Sequence, residues 1–198
     1  MKNKVYVLVF DGFADWEPAY ALCGIAMSGK HDIVTVGLAH KAIRSMGGLK
    51  VVPDVTLEQV VPEEAAIFIL PGGTMWEQGS SPEVIRLLRH LQAKGVPVAA
   101  ICGATLEVAR AGLMHGVRHS SNALEYLNKF FPEYQDESFY VNEPTVSDGF
   151  LITAGGVYSL EFAQEIFRKL ETFSEAEIDN WFNLYKHGIW SPALETAS

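Results

Sequence analysis

The sequence predicts an α/β fold in which a mostly parallel sheet carries helices on both faces. Short apolar runs with no polar alternation, such as residues 65–70, are typical of strands buried on both sides. Stretches with apolar residues at helical spacing, such as 82–95, alternate with these runs along the chain. In such sheets ligands bind beyond the carboxyl ends of the strands, so we expect the functional residues in the loops that leave those ends.

The N-terminal half is predicted as strand, helix, strand and strand. Residues 4–10 form a continuous apolar run rich in β-branched side chains, which indicates a buried strand. Asp15 stands where it can cap the following helix, and Gly29 ends that helix. Residues 32–38 and 65–70 predict the next strands, and a Pro-Gly-Gly turn closes the second of them.

The central part holds a helix, a strand and a second helix. Ser81 and Pro82 supply the N-cap and the first helical position, and Gly95 stops the apolar rhythm that follows them. Residues 96–102 then form a buried strand that ends at a cysteine. Its helix is expected to run to about Leu113.

The C-terminal part predicts three helices and a hairpin. An Asn-x-x-Glu pattern opens a helix over 122–131. Strands are expected at 139–141 and 150–153, around a Ser-Asp-Gly turn. A helix follows at 160–170, and a capping box opens a last helix over 174–187.

Composition limits the classes of function. A chain of 198 residues that is 48% hydrophobic suits one domain over 1–198. The net charge of −9, with no cluster of Lys and Arg, argues against nucleic acid or an anionic membrane as partner. No apolar run approaches the ~20 residues of a membrane helix, and the N-terminus lacks a signal-peptide pattern, so a cytoplasmic protein is expected. We expect no metal and no cofactor, because neither metal-ligand spacing nor a Gly-rich phosphate loop is evident.

Cys102 is the candidate nucleophile. It lies where the central strand runs into a helix, and the small residues Ala100 and Ala104 flank it as a nucleophile elbow demands. The start of a helix is expected to lower the pKa of a thiol there. The alternative is a buried core cysteine. Cys23, by contrast, lies inside a helical stretch beside Leu22 and is expected to pack in the core.

Two loops are expected to meet Cys102 at the sheet edge. Glu17 begins a helix and is either a surface acid or, if its loop folds over the edge, a carboxyl that hydrogen-bonds the sulfur and transfers protons. The Gly72-Gly73 turn lets backbone N–H groups approach a developing oxyanion, and the N–H groups of Gly73 and Gly103 are the predicted pair.

His119 is the histidine best placed to return to the strand ends, since it follows the nucleophile helix. A lone histidine is more often structural than catalytic. Asp15 is a candidate to orient it. Asp15, Trp16 and Gly72 are also the candidate contacts of a small-molecule substrate.

Four motifs in order resemble the ThiJ/PfpI superfamily, over about residues 4–170. They are FDGFADWEP at 10–18, LPGG at 70–73, AAICGA at 99–104 and DGFLITAGG at 148–156. The resemblance implies a flavodoxin-like three-layer sandwich related to class I glutamine amidotransferases, and a homodimer. It implies that Glu17 is the acid that hydrogen-bonds the nucleophile Cys102, and that His119 falls where some members place a histidine.

One departure from the family pattern bears on activity. Members similar to the intracellular proteases carry a histidine directly after the cysteine, where this chain has Gly103. The first hypothesis is therefore a cysteine-dependent enzyme acting on small carbonyl or acyl compounds, of the glyoxalase, deglycase or amidase kind. The alternatives are a redox-sensing stress protein that oxidises Cys102, and an intracellular cysteine peptidase.

Overall fold

A computed structural model describes residues 3–191, in which strands and helices alternate as the sequence predicts. The strands are β1 (Lys4–Val9), β2 (Asp32–Gly37), β3 (Ile43–Arg44), β4 (Lys50–Val51), β5 (Val55–Thr56), β6 (Ala65–Leu70), β7 (Val98–Ile101), β8 (Thr145–Asp148) and β9 (Leu151–Ala154). The helices are α1 (Trp16–Ser28), α2 (Met75–Gln78), α3 (Pro82–Ala93), α4 (Ala104–Arg110), α5 (Leu124–Phe130), α6 (Ser159–Leu170) and α7 (Glu175–His187). Short 3₁₀ turns lie at Leu57–Gln59 and Glu137–Phe139.

Seven strands form one sheet, in the order β5-β2-β1-β6-β7-β9-β8. All neighbours pair in parallel except β8 and β9, which form an antiparallel hairpin at one edge. This confirms the predicted α/β fold. The carboxyl ends of β1, β6, β7 and β9 therefore lie side by side, and the loops that follow them share one edge of the sheet.

Alternate side chains of the central strands enter two separate cores, as the pleat of a strand requires. On β1, Tyr6 and Leu8 pack with the side of the sheet that α3 and α4 cover. Val5 and Val7 pack with the opposite side, where α1 and α6 lie. The result is a three-layer sandwich with helices on both faces.

The predicted C-terminal hairpin is partly wrong. Residues 139–141 do not form a strand: they leave a 3₁₀ turn, and Tyr140 makes one isolated bridge to His119. The hairpin strand is β8, directly before a tight turn in which Gly149 has φ +57°. A tight turn pairs the residues directly on either side of it, which here are β8 and β9. Residues 139–141 precede β8 and therefore lie outside the sheet.

Cys23 is exposed, which corrects the expectation that it packs in the core. The side of α1 that packs inward carries Ala21, Gly24 and Ile25. Gly24 meets α6 so closely that a Cβ there would lie 2.3 Å from the ring of Phe167. That contact fixes the rotation of the helix and turns the neighbouring cysteine outward.

No helix within residues 3–191 is both long and apolar enough to cross a membrane. In the same part of the chain, no group of three or more His, Cys, Asp or Glu side chains is arranged to hold a metal ion.

Candidate active site

Cys102 occupies the turn between β7 and α4, with φ +59°. Its N–H donates to the carbonyl of Ala154 over 2.9 Å, and its own carbonyl accepts from the N–H of Thr105 over 3.1 Å. A residue other than glycine rarely adopts this conformation, and it is held here by the bonds on both sides. The geometry is that of a nucleophile elbow, with the thiol at the carboxyl edge of the sheet.

Glu17 brings a carboxyl to the same place from the first turn of α1. Its side chain is 1% exposed, and Oε2 accepts a hydrogen bond of 2.5 Å from the N–H of Gly72. Oε1 is buried with no hydrogen-bond partner of its own. A Cβ on Gly156 would lie 3.2 Å from Oε1 and 2.7 Å from Cys102 Sγ, so both atoms border one space that glycine leaves open.

The thiol and the carboxyl each shift the other's pKa. Burial raises the pKa of Glu17 to about 7, against the opposing effects of the Gly72 N–H and the Cys102 thiol. Burial and the charge of Glu17 raise the pKa of Cys102 to about 11. The expected lowering at the start of a helix is therefore wrong in direction, because burial and the nearby carboxylate outweigh the donors around the sulfur. Near neutral pH the sulfur keeps its proton beside a half-ionised base.

The Gly72-Gly73 turn lies directly against the nucleophile turn. A Cβ on Gly72 would come within 2.7 Å of Cys102 Cβ, and one on Gly103 within 3.1 Å of the Gly73 carbonyl oxygen. The nearby N–H of Gly103 acts to lower the pKa of the Cys102 thiol, against the larger effect of burial. The use of the Gly73 and Gly103 N–H groups as an oxyanion hole stays a prediction.

His119 is buried and both of its ring nitrogens have partners other than Cys102. Nδ1 pairs with the carbonyl oxygen of Val117 at 2.7 Å, and Nε2 pairs with the hydroxyl of Tyr134 at 2.5 Å. Burial lowers the pKa of the imidazole, which favours its neutral form. His119 follows α4 and lies beside the 3₁₀ turn at Glu137–Phe139. Neither of its ring nitrogens is hydrogen-bonded to the sulfur of Cys102.

Asp15 joins α1 to the β3–β4 hairpin. Its Oδ2 accepts from Ser45 Oγ at 2.6 Å, and its Oδ1 accepts from the N–H of Gly47 at 3.1 Å. It makes no side-chain bond to the start of α1, so the predicted cap is wrong, and its described partners do not include His119. The Asp15 carboxylate therefore binds the β3–β4 hairpin instead of capping α1.

A cavity of about 590 Å³ opens on Cys102, and Trp16 stands half-exposed at its rim. Val157, which is 84% exposed, forms another part of the rim. The full lining is Trp16, Glu17, Cys102, Asn122, Gly155, Gly156, Val157, Tyr158 and Ser159. The carboxyl and the thiol therefore face a space large enough for a small molecule.

Asn122 contacts the sulfur of Cys102, a role that its sequence context did not predict. Helix α5 begins two residues later than expected and its N-cap, Ala123, has no side-chain cap. The Asn122 side chain instead donates from Nδ2 to Cys102 Sγ at 3.5 Å and accepts at Oδ1 from the N–H of Gly156 at 2.9 Å. Asn122 stands three residues before Glu125, which is the spacing of a capping box. Nothing in the local sequence distinguishes a helix cap from a side chain that contacts Cys102.

Comparison with known proteins gives one consistent result. The family model described as the DJ-1/PfpI family matches residues 3–169. A Bacillus subtilis protein named uncharacterized protease YoaZ is 36% identical over 192 residues, which cover 93% of this chain and 91% of that protein. Deglycase TK1284 of Thermococcus kodakarensis is 30% identical over 125 residues, or 60% of this chain and 71% of its own length.

Solved structures that superpose on this fold come from the same superfamily. The crystal structure of a thiJ/pfpI family protein from Bacillus anthracis superposes with a TM-score of 0.89 at 34% identity, covering 100% of this chain and 95% of that one. DJ-1 superfamily protein Atu0886 from Agrobacterium tumefaciens superposes with a TM-score of 0.85 at 32% identity, covering 93% and 99% of the two chains.

Proposed function

Because the chain belongs to the DJ-1/PfpI family, we propose that it is a cysteine-dependent enzyme that acts on small carbonyl compounds, with 2-oxoaldehydes as the first class to test. One observation carries the proposal: Cys102 is held at a nucleophile elbow beside a buried Glu17 carboxyl. A nucleophile next to a general base is the arrangement that covalent catalysis requires. Relatives named deglycase and protease add support for an enzyme, while the reaction assigned here is our own proposal.

In this mechanism Glu17 takes the thiol proton as the sulfur adds to the carbonyl carbon. The raised pKa of Glu17, about 7, suits a base that works near neutral pH. The Gly73 and Gly103 N–H groups stabilise the oxyanion that forms. For a 2-oxoaldehyde the whole reaction adds one water and yields a 2-hydroxy acid, so the substrate is its own oxidant and reductant and the chemistry needs no cofactor.

The peptidase and redox-sensor alternatives have less support. The described contacts of Cys102 Sγ include no imidazole, since both nitrogens of His119 have other partners. A raised thiol pKa also lowers the thiolate fraction on which oxidation by peroxide depends. Both features suit a thiol that is activated only when a substrate arrives.

The test is turnover of methylglyoxal or phenylglyoxal by the purified protein, with the 2-hydroxy acid quantified by NMR. We expect Cys102→Ser to reduce product to the rate in buffer, while Cys23→Ser keeps the activity because that thiol lies outside the cavity that opens on Cys102. Equal turnover by the wild type and Cys102→Ser would refute the proposal. Oxidation of Cys102 by mild peroxide in a protein without turnover would favour the sensor.

The proposal extends to a cytoplasmic homodimer. An exposed stripe runs along α1 through Trp16, Tyr20, Cys23 and Met27, at spacings of four, three and four residues. This is the heptad spacing of a helix that packs on another helix. A second copy of the chain, related by a two-fold axis, would place the same stripe against itself.

A further inference from the structure

Asn122 is the side chain that joins the nucleophile to the loop across the cavity. Nδ2 lies 3.5 Å from Cys102 Sγ, and Oδ1 lies 2.9 Å from the backbone nitrogen of Gly156. The two contacts connect the turn after β7 with the loop after β9. Asn122 belongs to neither element, so it reaches the sulfur from a third direction, apart from Glu17 and the Gly103 N–H.

The orientation of the amide is settled by its partners. The group from Gly156 is an N–H, so the amide atom that faces it must be the oxygen. The NH₂ group is then the part that faces the sulfur. An amide held in this way presents a hydrogen-bond donor to Cys102, and a donor stabilises a thiolate more than a thiol.

Hydrogen bonds of the two preceding residues, Ser120 and Ser121, hold the backbone at Asn122 in position. The N–H of Ser120 donates to Thr153 Oγ1 at 2.8 Å, and the hydroxyls of Ser121 and Thr105 lie 2.7 Å apart. Thr105 Oγ1 also donates to the carbonyl oxygen of Cys102 at 2.6 Å. These bonds, two of which are fully buried, attach the segment to β9 and to the nucleophile turn, so the backbone of Asn122 is held next to the sulfur.

We propose that Asn122 is the third group of the catalytic site, where its amide stabilises the Cys102 thiolate while the thiol proton passes to Glu17. The proposal rests on the proposed function, since it assumes that Cys102 is the nucleophile. An amide neither takes nor gives a proton, so Glu17 remains the proton carrier. Asn122 thus makes a side-chain contact to the sulfur, while the imidazole of His119 has other partners.

The test is the rate at which iodoacetamide alkylates Cys102, followed from about pH 6 to about pH 10. Peptide mass spectrometry resolves the two cysteines, and free glutathione in the same solution serves as the reference for the reagent. For Asn122→Ala we expect alkylation at neutral pH to slow about three- to tenfold, as loss of one hydrogen bond predicts. The loss should persist at every pH in this range, because the wild-type pKa of about 11 lies above it.

Asn122→Asp separates the electrostatic role from a purely structural one. Aspartate keeps an oxygen for the Gly156 N–H but replaces the donor at the sulfur by a charged acceptor. We therefore expect Asn122→Asp to react more slowly than Asn122→Ala, although it is the closer match in shape. Asn128→Asp, the same change at an exposed position of α5, should leave Cys102 at the wild-type rate.

Two outcomes would overturn the proposal. In the first, Asn122→Asp reacts like the wild type while Asn122→Ala is slow, which would mean that the side chain only holds the loop. In the second, neither substitution changes the reactivity of Cys102. Alkylation needs no turnover, so a failure of the proposed 2-oxoaldehyde activity is detected separately.

Discussion

A buried carboxyl beside a thiol determines how Cys102 reacts and how stable the protein is. The carboxyl of Glu17 has one hydrogen-bond donor, the Gly72 N–H, and one oxygen with no partner of its own. Ionising such a group inside the protein costs more than ionising it in water, which is why its pKa is raised to about 7. The same feature makes Glu17 a useful base and an unfavourable buried charge.

Glu17→Gln should lower activity and raise stability at alkaline pH. The folded-state pKa of Glu17 exceeds the unfolded value, so its contribution to stability is complete below about pH 4.5 and is lost as pH rises through about 7. Glutamine has no such loss. At about pH 8 the variant should exceed the wild type by a free energy of unfolding on the order of 3 kcal/mol, measured by urea denaturation.

Glu17→Gln also tests how kcat/KM depends on pH. Wild-type kcat/KM for a 2-oxoaldehyde should rise as pH passes through about 7, because the ionised carboxylate is the active base. Glu17→Gln should lose this rise and about 10²–10⁴-fold in rate. Glu58→Gln, at an exposed position, is the matched control and should change neither quantity. A Glu17→Gln variant that is less stable than the wild type at about pH 8 would contradict this account.

At the scale of elements, Arg110 on α4 holds the loop that follows the Gly72-Gly73 turn, and Glu107 on the same helix is its ion-pair partner. Arg110 donates from Nη1 to the carbonyl oxygens of Trp76 and Gly79, each at 2.8 Å, and from Nη2 to that of Phe130 at 2.9 Å. Glu107, which is fully buried, lies 3.5 Å from the same guanidinium. One side chain thus joins α4 to the loop around α2 and to the end of α5.

Arg110→Met should destabilise the fold and loosen that loop. It leaves the Glu107 carboxylate buried without its cation, a change that costs about 3 kcal/mol or more. Urea denaturation measures the loss, and hydrogen exchange should increase at residues 72–81 before it increases in the sheet. Arg86→Met, at an exposed position of α3, should lie within about 0.5 kcal/mol of the wild type. Similar stability for the two variants would show that the ion pair contributes little.

Elements with strong local signals could be predicted from the sequence. Helix α3 begins with the Ser81 cap and Pro82, and α7 opens with the capping box at Ser174, both as predicted. Local signals do not reveal what a side chain meets across the fold. The cap-like pattern at Asn122 and the apolar surroundings of Cys23 both fit their predicted roles until tertiary packing is known.

The same limit applies to the candidate site. The meeting of three loops at the sheet edge follows from parallel strand order. Strand order alone leaves Glu17 as either a surface acid or a partner of Cys102, and the family resemblance favours the partner. The direction of the thiol pKa could not be predicted, because it depends on how deeply the sulfur is buried and how close the carboxyl lies. Nor could the partners of His119, since Tyr134 comes from a segment with no regular structure.

At the scale of the whole molecule, the exposed stripe on α1 predicts the state of assembly. Light scattering coupled to size exclusion should give a dimer for the wild type and a monomer for Met27→Glu, because Met27 is 77% exposed and lies on the proposed seam. Met46→Glu, at another exposed methionine, should remain a dimer. A wild-type monomer at micromolar concentration would remove the homodimer from the proposal.

The positive φ of Cys102 has a consequence for how related sequences diverge. A non-glycine residue in this conformation costs on the order of 1–3 kcal/mol, and glycine adopts it without strain. Selection for folding alone therefore favours glycine at this position and an uncharged residue in place of Glu17. Among descendants that keep the fold but abandon the chemistry, we expect these two positions to change first and together. A lineage that retains both is under selection for what the thiol does.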